Sequence, residues 1–333
     1  MKPFLLALLL TAALLSRAAA DYREYLQLPP SETLQHALAQ TAEATAKQFS
    51  QITADNLALS AIDLTNSAAP VRADYHGDAP FYPASVMKLF VMTHLFQMDR
   101  HSPEIERALR AMIQVSDNDA TAYLIDVLSG TTAGPELEGK ELADFIERRG
   151  ATNRYFASLG YDISVSMKPW SFGPYGREMQ LLGENRERRN RASANSIAAL
   201  LYWIVQKKAV SGAASEAMLP LLERPLAPPR PDENQVKEFL GESFPPGTRL
   251  WSKSGETSEV RHDAAYIELP DGRKLIIVAL TRAGEEKALL PAIGRNLLGA
   301  LDDGRASAAT SSPWARRRWF PAPRAAVASG AGR

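Results

Sequence analysis

The chain has 333 residues, 45% hydrophobic and 23% charged, enough for one large domain or two closely joined ones around a sizeable core. It contains no cysteine, which excludes disulfides, thiolate metal sites and a cysteine nucleophile, so any chemistry must come from oxygen, nitrogen or carboxylate groups. Net charge is zero, yet residues 305–333 hold six Arg and no acid and residues 1–20 hold Lys2 and Arg17, which leaves 21–304 at −8, the wrong sign for a nucleic-acid partner.

Residues 1–20, MKPFLLALLLTAALLSRAAA, have an early Lys, an apolar stretch too short to span a bilayer and a small-residue exit. This is the layout of a signal peptide cleaved after Ala20, and it predicts export with no transmembrane segment left behind. SETLQHALAQTAEATAKQF (31–49) reads as a helix capped by Ser31, NLALSAIDL (56–64) as a strand and PVRADYH as its partner. Helical patterns follow at 85–98, 103–115, 119–129, 140–149 and 193–207.

Residues 161–192 form a long irregular segment in which Trp170, Phe172 and Tyr175 predict a packed loop. A proline-rich connection, 223–235, leads to three strand-like runs, TRLWSKSG, VRHDAAYIELP and KLIIVALTR, with PDG (270–272) as a hairpin turn. EEKALLPAIGRNLLGAL reads as a closing helix that Pro291 would kink, and the Arg, Ala and Pro-rich tail from 305 to 333 reads as disordered. The outline is an α/β chain of the α+β kind: a five-stranded antiparallel sheet flanked by terminal helices, with an all-helical subdomain inserted. The body is 21–304, its sheet part about 21–76 and 246–304 and its helical part about 77–245.

The stretch YPASVMKLFV places Ser85 three residues before Lys88 in an apolar run. A lysine buried there must pair or lose its proton, and a neutral lysine is a general base. At i and i+3 hydroxyl and amine share a face, and the exposed N–H groups of a first turn suit an oxyanion. Taken alone, the segment equally fits Ser85 as a helix cap with Lys88 reaching to the surface. Ser116-Asp117-Asn118 lies between two helical patterns, and Lys253-Ser254-Gly255 lies on the first late strand, where a glycine admits a close backbone approach and a lysine can receive a carboxylate.

The order SVMK, SDN, KSG, with these placements, resembles the penicillin-recognising serine hydrolases, and among them the class A β-lactamases, over roughly residues 50–300, a family in which these motifs carry serine acyl transfer. The resemblance implies an exported, monomeric serine hydrolase, with the body 21–304 as its catalytic domain and no cofactor. A small-molecule β-lactam or a cell-wall peptide would be the substrate. It implies Ser85 as the acylated nucleophile, Lys88 as its base or proton relay, and Ser116 as the proton donor to the leaving nitrogen. Asn118 would hold the substrate's amide side chain, and Lys253 and Ser254 its carboxylate. The N–H groups of Ser85 and of Glu256, the residue after Gly255, would form the oxyanion hole, with Arg261 as a helper for the carboxylate.

Two departures stand out. The family's deacylating Glu lies in a Glu-x-x-Leu-Asn loop, for which Glu178-Met179-Gln180-Leu181-Leu182 is the best counterpart, with Leu182 in place of the amide. Glu178 would then drive hydrolysis slowly, and Asn at position 182 would speed it. Ser85 and Ser116 are also only 31 positions apart, less than in familiar members, which predicts an open cleft. A D-Ala-D-Ala peptidase or other acyl hydrolase, or a silent module binding envelope peptides, fits the same motifs.

Metal chemistry is not expected, because the five His form no ligating pattern and cysteine is absent. His262 and Asp263 are adjacent on a strand, so their side chains point to opposite faces and predict a structural role. The Arg-rich tail with Trp314, Trp319 and Phe320 reads as a plain extension, with contact to an anionic envelope surface as the other reading.

Overall fold

The structure, a computed structural model, describes residues 20–169, 173–227 and 235–311. Residues 1–19 of the expected signal peptide, residues 170–172 with Trp170 and Phe172, the proline-rich 228–234, and the tail from 312 with Trp314, Trp319 and Phe320 lie outside them.

A short helix α1 (Tyr22–Tyr25) precedes α2 (Glu32–Gln48), which starts where expected because Ser31 Oγ accepts the Leu34 N–H. Strands β1 (Leu57–Asp63) and β2 (Val71–Tyr75) then form an antiparallel pair. The helical part runs α3 (Lys88–Gln97), α4 (Pro103–Gln114), α5 (Asn118–Ser129), α6 (Gly139–Arg149), α7 (Ala151–Ser158), α8 (Arg177–Leu182), α9 (Ala194–Val205) and α10 (Gly212–Leu222). The chain returns through β3 (Glu223–Arg224), β4 (Arg249–Glu256), β5 (Arg261–Glu268) and β6 (Lys274–Thr281), and closes with α11 (Leu289–Ser311). Among the described residues, no helix is long and apolar enough to cross a membrane.

The sheet has six strands in the order β2-β1-β6-β5-β4-β3, one more than expected. The extra strand is the two-residue β3, too short to leave an alternating pattern in the sequence. Alternation along β6 explains how the sheet divides the core: Ile276, Val278 and Leu280 face the helical part, while Leu275, Ile277 and Ala279 face α2 and α11. Because β3 covers β4 only at Leu250 and Trp251, the end of β4 from Ser252 to Glu256 is an open edge.

Pro291 does not kink α11, because it falls in the first turn, where a backbone N–H needs no partner. That helix also continues to Ser311, beyond the boundary drawn at residue 305. Helices α7 and α10 were not legible as separate elements; α10 carries Pro220 in its interior, which argues against a helix from sequence alone. Tyr175 in the long loop is 58% exposed, so it does not pack as expected.

Candidate active site

Ser85 lies in a 3-10 turn, Ala84–Met87, that leads directly into α3 rather than inside the α-helix itself. In a 3-10 turn residues three apart eclipse, which puts Ser85 and Lys88 on one face, although among the described residues no hydrogen bond joins Ser85 Oγ to Lys88 Nζ, whose donors go to Ser116 and Asn118. The segment is held from both sides. Tyr82 O accepts from His262 Nε2 at 2.8 Å, and the Thr281 N–H donates to His262 Nδ1 at 3.0 Å, so the second bond fixes the tautomer that makes the first. Burial pushes the His262 pKa down to about 4, which keeps the ring neutral. Asp263, on the opposite face of β5, accepts the Leu240 N–H, and the structural role expected for this pair agrees with these contacts.

On the other side Gly255 of β4 approaches the turn so closely that a Cβ at this position would lie 2.8 Å from Ser85 N and 2.9 Å from Val86 N. Only glycine lets strand and turn meet there. The Ser254 N–H points to the open edge of β4, toward the Gln235 side chain at 3.4 Å. Antiparallel alternation then turns the Glu256 N–H to the same edge.

Ser116 follows α4, whose last carbonyls are capped from outside the helix. Arg224 Nη2 donates to Ile113 O at 2.7 Å, and Gln235 Nε2 donates to Ile113 O at 3.1 Å and to Gln114 O at 2.7 Å. Ser116 itself has φ +60°, an uncommon conformation for a residue with a side chain. Asp117 Oδ1 caps α5 by accepting the Ala120 N–H at 2.6 Å. Helix capping and the contacts to Lys88 therefore coexist in one tripeptide, with Asp117 serving the helix while Ser116 and Asn118 turn to Lys88.

Lys88 is fully buried, and its Nζ donates to Ser116 O (2.6 Å), Ser116 Oγ (3.1 Å) and Asn118 Oδ1 (2.9 Å). Burial brings its pKa down to about 7, partly offset by the charge of Asp117. Lys253 is also fully buried, and its Nζ donates to Ser116 Oγ (3.1 Å), Gln235 Oε1 (2.7 Å) and Ser254 O (2.8 Å). Burial pushes its pKa far below the usual lysine range, and the nearby Lys88 adds to this. Ser116 Oγ thus joins the two lysines in one hydrogen-bonded chain.

The remaining expected residues lie elsewhere. Glu178, on α8, is fully buried in an ion cluster: Arg149 forks onto it at 2.7 and 3.4 Å, and Lys168 Nζ stands 3.9 Å from Oε1. Arg149 also reaches Asp126 at 3.2 Å, and Lys168 holds Asp126 at 2.6 Å. Burial raises the Glu178 pKa, and Arg149 and Lys168 pull it back. Among the described residues no hydrogen bond links Glu178 to Ser85, Lys88 or Ser116, so the deacylating role expected of it does not follow from this arrangement.

Leu182 is buried beside Phe145, Met167 and Leu181, so it packs a small apolar cluster rather than standing where an amide would orient water. Arg261, expected as a helper for the substrate carboxylate, donates to Glu256, to Gly284 O at 3.1 Å and to Glu238 O at 3.3 Å. Sequence reasoning missed Gln235, Arg224 and the Arg149 cluster, because none belongs to a motif and each acts through a contact 18 or more positions away.

The comparisons with known proteins come to rest on the same fold. The model of the beta-lactamase enzyme family matches residues 98–301, which include SDN and KSG and begin after Ser85 and Lys88. No curated protein sequence matches the chain. Solved structures similar to it include a beta-lactamase from Sphaerobacter thermophilus (20% identity, 80% of this chain and 98% of that one, TM-score 0.57). PBP-A is similar at 18% identity over 83% of this chain and 99% of that one, with TM-score 0.58. A class A beta-lactamase from Mycobacterium abscessus is similar at 17% identity over 80% and 99%, with TM-score 0.57.

Proposed function

This chain belongs to the beta-lactamase enzyme family, and on that premise we propose that it is an exported serine hydrolase whose Ser85 takes an acyl group from a β-lactam and releases it slowly. The hydrogen-bonded chain Lys88–Ser116–Lys253 is the observation that carries this reading. With a pKa near 7, Lys88 is neutral in a large share of molecules at neutral pH. A neutral amine keeps two N–H donors for its three acceptors and frees a lone pair for the Ser85 proton.

Ser85 Oγ then attacks the lactam carbonyl carbon, and the developing oxyanion accepts from the N–H groups of Ser85 and Glu256 across the gap that Gly255 keeps open. As the carbon–nitrogen bond breaks, Ser116 gives its proton to the nitrogen and regains one from the Lys88 ammonium. Asn118 anchors the substrate's amide side chain, and Lys253 and Ser254 hold its carboxylate. General base and oxyanion contributions of this kind supply roughly 10²–10⁴ and 10²–10³ in rate.

Release of the acyl group needs an activated water. Among the described residues none of the hydrogen-bond partners of Lys88 is a carboxylate, and Glu178 is bound in its ion cluster. The same observation favours a second reading, a peptidase or other acyl hydrolase in which a β-lactam acts as an inhibitor. A chromogenic cephalosporin tests the first reading. Wild type is expected to give a burst of ring opening matching the enzyme concentration and then a slow steady rate, while Ser85→Ala gives neither; equal traces would overturn it. Turnover of a D-Ala-D-Ala peptide by the same preparation selects the second reading.

A further inference from the structure

We propose that Gln235 is a built-in competitor for the anionic group of the substrate, its side-chain amide oxygen holding the two donors that a substrate carboxylate needs. This rests on the reading of Lys253 and Ser254 as the carboxylate site. Gln235 Oε1 accepts from Lys253 Nζ at 2.7 Å, from Ser254 Oγ at 3.1 Å and from the Ser254 N–H at 3.4 Å. Donor counting makes the competition strict. Lys253 Nζ has at most three N–H bonds and already faces three acceptors, Gln235 Oε1, Ser116 Oγ and Ser254 O, so none is free. A hydroxyl has one proton, and that of Ser254 is directed at Gln235.

The amide is also fixed from behind, since Nε2 donates to Ile113 O and Gln114 O, and the residue is only 4% exposed. A ligand that engages Lys253 and Ser254 must therefore take them from a well-seated neutral acceptor. A carboxylate can do so, because charge-assisted hydrogen bonds are roughly twice as strong as neutral ones. An ester carbonyl cannot. Gln235 thus lowers affinity for every ligand at these donors and leaves the site open chiefly to anions.

The test is binding in a Ser85→Ala background, where no acylation is required, with benzylpenicillin and its methyl ester titrated calorimetrically. Gln235→Met keeps the length and removes the acceptor; it is expected to tighten benzylpenicillin about tenfold, the equivalent of one charge-assisted hydrogen bond. Gln235→Glu puts a permanent carboxylate in the same place and is expected to weaken benzylpenicillin by about the same factor. In Gln235→Glu the ester, which does not engage these donors, changes by less than about threefold, which also reports an intact cleft; in Gln235→Met the freed donors tighten the ester as well, by less than they tighten the acid. A Gln235→Met chain that binds the acid no better than its parent, or a Gln235→Glu chain that binds it no worse, overturns the proposal. If wild type takes no acyl group while this binding pattern holds, the catalytic reading alone falls.

Discussion

Replacing Glu178 with Gln separates a catalytic from a structural role for this residue. Arg149, Lys168, Glu178 and Asp126 form a cluster with two positive and two negative charges, and the Arg149 and Glu178 side chains have no exposure at all. Gln removes one negative charge and leaves the cluster one positive charge in excess, with Arg149 keeping only the partly exposed Asp126 as an ionic partner. Breaking a buried pair from one side costs about 3–5 kcal/mol, and the surviving Asp126 contact sets the lower end, about 3 kcal/mol. At about 2–4 °C per kcal/mol for a large domain, Tm falls by roughly 6–12 °C. Calorimetric melting combined with the lifetime of a penicillin adduct, followed by intact mass, reads both outcomes. The geometry predicts the loss of Tm and an adduct lifetime within about twofold of wild type. An unchanged Tm with a tenfold longer lifetime would refute the structural assignment and return Glu178 to the deacylating water.

Leu182→Asn inserts an amide among Phe145, Met167 and Leu181 without partners. It is expected to cost about 1–3 kcal/mol in urea unfolding and to leave deacylation no faster, whereas faster release would restore the loop alignment read from the sequence. The rate of Ser85 acylation should depend on pH through Lys88, whose pKa is lowered to about 7 by burial. The reactive form is the neutral amine, so the stopped-flow acylation rate rises about tenfold per pH unit below that value and levels above it. A rate that is flat from about pH 5 to pH 8 would exclude Lys88 as the base.

The three motifs were legible because each is local: SVMK, SDN and KSG span three or four residues apiece, and the fold order follows from their placement. Burial of Lys88 was one of two equal readings of the apolar run around it, and only the contacts with Ser116 and Asn118 decide for it. The long-range contacts were not. Gln235 meets Lys253 from 18 positions away and Glu178 meets Arg149 from 29, and an Arg in a helical pattern reads as surface until its partner is known. The Glu178 reading turns on this point: the spacing in EMQLL matches, but spacing carries no information about which charge the carboxylate faces. The third residue of β4 beyond β3, Ser254, shows the converse, because its edge without a strand partner follows from the shortness of β3 and not from any residue of its own.

The central claim is that Ser85, with Lys88 and Ser116, accepts the acyl group. Incubation of wild type with benzylpenicillin, quenching in acid and mapping of the adduct by peptide mass spectrometry tests it most directly. The expected result is one stoichiometric adduct on the peptide that contains Ser85, absent from Ser85→Ala. An adduct on any other residue, or none in a preparation that also fails to turn the penicillin over, contradicts the claim.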